Sequence, residues 1–92
     1  MSTRHLFRPF ASHDDYFAAV RGLAADLAAC GHRAAAEELR EGFARLNGLT
    51  DGWAALAEAA DAVRERHASG LSPAQRTRLD EVRRVARRVT RR

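Results

Sequence analysis

Ninety-two residues with a net charge of +4 are enough for one domain with a modest core and too few for two. All sixteen basic residues are Arg, and one residue is Cys, which excludes an internal disulfide and a zinc site built from thiolates alone. No apolar run approaches the ~20 residues that span a bilayer, and Met1–Ala11 has no apolar stretch of signal-peptide length, so the expected setting is a reducing, cytoplasmic one in a bacterium.

Met1–Ala11 reads as an N-terminal arm. Pro9 lacks a backbone donor and pushes Arg8 toward an extended conformation, while Leu6, Phe7 and Phe10 offer side chains for packing onto the rest. Ser12 then caps a first helix, with Asp14 and Asp15 in its first turn, where the helix dipole favours negative charge. Tyr16, Val20, Leu23, Leu27 and Cys30 recur at spacings of four and three, one face of an α-helix, and Gly31 stops it. Cys30 is expected to be buried as a small hydrophobe, and His32 to meet the last carbonyls of that helix.

The second helix is expected from Arg33 to Asn47, with Ala35, Ala36, Leu39, Phe43 and Leu46 inward. Gly42 lies on that apolar side and costs up to ~1 kcal/mol relative to Ala, so close approach by another helix is its expected reason. Asn47-Gly48 marks a turn, and Thr50 caps a third helix with Asp51 in its first turn. Trp53, Leu56, Ala57, Ala60, Val63 and His67 share a side, and Ser69-Gly70 ends the helix with Leu71 folding back. Ser72-Pro73-Ala74-Gln75 opens the fourth: Ser at the N-cap, Pro at the first helical position, Gln completing a capping box. Leu79, Val82, Val85, Ala86 and Val89 form its buried stripe.

Short connections between helices of similar length imply antiparallel neighbours. The expected architecture is all-α: an antiparallel up-down four-helix bundle, residues 12–92, preceded by the short arm 1–11.

Few residues suggest catalysis. No phosphate-cradling Gly loop, HExxH pattern or GxSxG elbow occurs. His13, Asp14 and Asp15 are consecutive on a helix, hence about 100° apart, and do not converge on a metal. Glu37, Glu38 and Glu41 read as the solvated face of the second helix. A helix-turn-helix fails because its recognition helix would open Thr50-Asp51-Gly52-Trp53, with an acid facing phosphates and no side chain for base edges. The expectation is a protein without enzyme activity, metal or cofactor.

Charge supplies the one functional lead. Over residues 72–92, eight Arg face only Asp80 and Glu81, whereas residues 12–71 carry six Arg against ten acids. The candidate binding residues are Arg76, Arg83, Arg84, Arg87, Arg88 and Arg91, on the last helix. Three partners fit such a face: an acidic protein surface, nucleic-acid phosphates without sequence preference, or the acidic side of a second copy in a structural homo-oligomer. No aromatic residue on this helix offers a base-stacking platform, and its apolar side lacks the Trp or Phe of a membrane-surface helix. A protein partner is preferred.

The run from Leu27 to Arg40, with its Cys30-Gly31-His32 turn and Glu37-Glu38-Leu39-Arg40, resembles a helical hairpin of small uncharacterised bacterial all-α proteins. The resemblance covers about residues 20–60 and implies an all-helical bacterial protein; it carries no functional residue.

Overall fold

Ser12 caps α1 (His13–Ala29) as the sequence asks: its backbone is extended and its side chain accepts from the Asp15 N–H at 3.2 Å. The structure is a computed structural model that describes residues 9–46 and 52–90. Among them are three further helices, α2 (Arg33–Ala44), α3 (Gly52–His67) and α4 (Pro73–Thr90), with a short 3-10 turn at Ala68–Gly70 and no strand. The proposed turn at Asn47-Gly48, the Thr50 cap and the first-turn Asp51 lie outside the described residues, as do Leu6 and Phe7 of the arm.

The α1–α2 turn is set by one glycine. Gly31 sits at φ 89°, the His32 N–H reaches back to the Leu27 carbonyl at 2.8 Å, and the Gly31 N–H reaches the Ala28 carbonyl at 3.1 Å. This paired closure needs a left-handed residue and satisfies two carbonyls that the helix end orphans. It also corrects the expectation for Cys30. The helix stops at Ala29, Cys30 becomes its C-cap, and the thiol is exposed rather than buried. Helical phase puts residue 30 in line with Leu27, but the helix ends one residue earlier and its C-cap side chain is exposed.

Helix α4 starts on a complete capping box. Ser72 Oγ accepts from the Gln75 N–H at 3.1 Å, and the Ser72 N–H donates to Gln75 Oε1 at 2.9 Å. Gln75 is buried and its Nε2 also donates to Asp26 Oδ2 at 3.0 Å, tying the start of α4 to α1. At the same end, the His32 ring lies over Gly70, where an added Cβ would sit 3.2 Å from Cε1. The two turns therefore touch.

The apolar stripes meet in one core. Tyr16, Leu23 and Leu27 of α1, Leu39 of α2, Leu56 and Val63 of α3, and Leu79, Val82 and Val85 of α4 are all closed to water. Each Leu so buried stabilises by roughly 1.5–3 kcal/mol relative to exposure. Alanines 24, 35, 36, 60 and 86 complete the interior and let the axes approach. Leu71 folds back into this core as expected, whereas Phe43, Leu46, Trp53 and Val89 pack against it half-buried. Phe10 is the part of the arm that can be placed, and it stands edge-on to Tyr16 at 5.3 Å between centroids.

Helix α2 ends three residues before the expected Asn47. The Arg45 and Leu46 N–H groups bond to the Gly42 and Phe43 carbonyls, an i to i−3 pattern that tightens and closes the last turn. Gly52 of α3 packs on the Arg45 backbone there; a Cβ on Gly52 would stand only 2.9 Å from the Arg45 carbonyl carbon. Gly42 has the role its position implied. A Cβ on it would collide with Ala59 Cβ and lie 3.1 Å from the Ala55 carbonyl oxygen, so α3 crosses α2 at backbone distance. Helices α1 and α4 meet along a thinner seam, marked by the Tyr16 hydroxyl donating to the Val82 carbonyl at 2.9 Å.

Candidate functional site

The arginines of α4 divide into two strips. Residues 76, 80, 83 and 87 follow helical spacing along the side that faces α3, and 84 and 88 lie one step further round. On the first strip the guanidiniums of Arg83 and Arg87 are held. Arg83 Nε donates to Asp61 Oδ1 at 2.7 Å, and Arg87 Nη2 donates to Asp61 Oδ2. Asp80 Oδ1 accepts from Arg64 Nε at 3.1 Å and from Arg83 Nη1 at 3.3 Å. The result is a chain of alternating charge, Arg64–Asp80–Arg83–Asp61–Arg87, along the rim of the α3–α4 seam. The hydrogen bond to Asp61 is the main reason the Arg83 guanidinium is held above its usual pKa; partial burial works against it, and Asp80 adds to it.

Asp80, which in the sequence interrupts a basic face, is therefore a bridge between α3 and α4. Its role rests on Arg64, 16 residues away in the chain, and no local pattern reveals it. Arg76 is half-buried at the start of this side. Arg84 is exposed and has no ion pair with any described residue, and Arg88 lies half-buried on the same outward strip. Arg91 lies outside the described residues. The six candidate arginines thus do not form one continuous free surface.

The apolar side of α4 is engaged in the core through Leu79, Val82, Val85 and Ala86, with Val89 half-buried beyond them. No described helix is long and apolar enough to cross a membrane. Among the described residues, no three His, Cys, Asp or Glu side chains gather as metal ligands.

Acids on α2 behave unequally. Glu37 and Glu41 are exposed, as expected of a solvated face. Glu38 departs from that expectation: it is half-buried against α3, and Arg66 Nη1 donates to its Oε1 at 2.7 Å. Its other oxygen faces His67 Nε2 at 3.8 Å, and both atoms are buried without a hydrogen-bond partner. The sequence placed His67 at a half-buried seam end, which it occupies, but did not pair it with Glu38.

Trp53 belongs to an aromatic cluster at the other end of the molecule from the His32–Gly70 contact. It stacks on Tyr16 at 5.8 Å and tilts against Phe17 at 5.9 Å, and Phe17 stands edge-on to Phe43 at 5.7 Å. Phe17 was not on the expected stripe; it flanks it, on the side toward α2.

Comparison with protein-family models, curated proteins and solved structures yields no match. The functional reading therefore rests on the residues themselves.

Proposed function

We propose that this chain is a non-enzymatic protein-binding module whose contact surface is the outward strip of α4, centred on Arg84 and extending through Arg88 toward Arg91. Its partner is an acidic protein surface. The observation that carries the reading is the division of the arginines: Asp61 and Asp80 neutralise Arg83 and Arg87, while Arg84 remains exposed and unpaired among the described residues. A guanidinium in that position forms bidentate bonds with a partner's carboxylate. The proposed framework is an up-down antiparallel bundle. Pairings such as Glu38 with Arg66, Asp61 with Arg83, and Asp80 with Arg64 support it, because higher numbers on one helix meet lower numbers on the next.

A protein partner is favoured over nucleic acid because Arg83 and Arg87 of the basic face are engaged by acids of the chain itself, and α4 presents no aromatic ring for bases. The test is a titration of the full chain with a poly-glutamate peptide and, separately, with a DNA duplex of arbitrary sequence. The expected result is peptide binding that is lost in Arg84→Glu. Duplex binding whose affinity drops steeply with salt, with no peptide binding, replaces this reading with a nucleic-acid one. Sedimentation at several concentrations checks the homo-oligomer alternative.

A further inference from the structure

The α1–α2 seam carries two arginines, Arg21 and Arg40, that no acid among the described residues engages. Arg21 and Arg40 flank a groove of about 370 Å³ whose floor is Val20, Ala24 and Phe43. The Arg21 guanidinium lies over the Phe43 ring, 5.9 Å from its centroid, and Phe43 is fixed from beneath by Phe17. Both arginines are exposed, and neither forms an ion pair with a described residue. Among the described residues, no acidic side chain lines the groove. Apolar floor and cationic rims therefore coincide, whereas on α4 the apolar side is buried and only the charge faces out.

The chemistry that fits is an apolar side chain with carboxylates on either side of it. A small carboxylate amphiphile meets the first two demands but not the third, which is cover. Small-molecule sites enclose most of their ligand. This groove, about 370 Å³, lies at the lower end of the range of ligand sites and is only partly enclosed, so fuller cover comes from a ligand long enough to lie along both helices. We propose that the α1–α2 groove docks an acidic amphipathic helix of a partner protein, with one apolar side chain seated on Val20, Ala24 and Phe43 and flanking carboxylates paired with Arg21 and Arg40. Laying the apolar face of a helix into a groove between two helices is a common recognition mode. The proposal uses none of the α4 residues and stands independently of the function assigned to them.

The test is an amide-resolved NMR titration of the full chain. The probe is a capped peptide of roughly four helical turns, Leu along one face and Glu on the others. Saturable shifts are expected at Val20, Arg21, Ala24, Arg40 and Phe43. Arg21→Gln with Arg40→Gln should weaken binding about tenfold or more, equivalent to at least about 1.4 kcal/mol. Arg84→Gln should leave it unchanged. Arg40→Gln alone guards against a folding artefact, because Arg40 is exposed and has no ion pair with a described residue, and thermal melts of both variants should match the parent. Absence of shifts at the groove overturns the proposal. So does equal binding by the same peptide with Lys in place of Glu, or occupation of the groove by decanoate but not by peptide. Shifts confined to Arg84 and Arg88 overturn it while leaving the α4 reading intact.

Discussion

Two seams of this protein are joined by different physics. Across α2–α3 the backbones themselves approach at Gly42, and there is no room for one additional methyl group. Across α3–α4 the packed Leu and Val residues are edged by a rim of ion pairs running from Arg64 to Arg87. The first seam is specified by shape and tolerates almost no change. The second is edged by charge, which is long-ranged and forgiving, and its rim is partly wet. The binding surfaces proposed above lie away from both seams, at Arg84 on the outer side of α4 and at the α1–α2 groove.

Gly42→Val tests the shape-limited seam most severely. The added atoms meet Ala59 and the Ala55 carbonyl, and urea unfolding should show a loss of about 2–3 kcal/mol despite the better helix propensity. Unchanged stability would mean that the helices separate easily and that the seam is not limited by its backbone.

Tyr16→Phe tests the thin α1–α4 seam. Removing the hydroxyl that donates to Val82 should cost about 1 kcal/mol. The same residue supplies a pH signature. Burial raises the Tyr16 pKa well above its ordinary 10.0, because the folded interior disfavours the phenolate. Its contribution is thus complete below pH 10.0 and lost as pH rises toward the folded-state value. Tyr16 is the only tyrosine, so absorbance at alkaline pH reports it alone, and ionisation should coincide with unfolding. A phenol that titrates at its ordinary value in folded protein would contradict the buried bond.

Asp61→Asn removes the carboxylate shared by Arg83 and Arg87. With these groups partly exposed, the loss should be about 0.5–1 kcal/mol at low salt and smaller at high salt. A loss as large as that of Gly42→Val would erase the distinction between the two seams. The smallest structural effect is expected from Arg84→Glu, whose melting curve should overlay the parent's while binding to the poly-glutamate peptide disappears.

Local sequence determined the punctuation of this chain. Ser12, Gly31 and the Ser72–Gln75 box each act through atoms within a few residues, so their chemistry is readable without knowing what packs where. Helical spacing likewise identified the stripes of α1 and α4, because a 3.6-residue period is a property of one helix alone. Cys30 shows where that logic ends: its phase is right, but it lies past the last helical residue and is exposed.

Tertiary structure decided which charges are free. Arg83 and Arg84 are adjacent and chemically identical in sequence, yet one is bonded to Asp61 across the seam and the other faces solvent. Nothing in the sequence singles out Arg21 and Arg40 as a pair; the packing of α1 on α2 brings them to one groove with Phe43. Caps and periodicity depend on contacts a few residues apart in the chain. Ion pairing and grooves depend on distances between helices, which no single helix encodes.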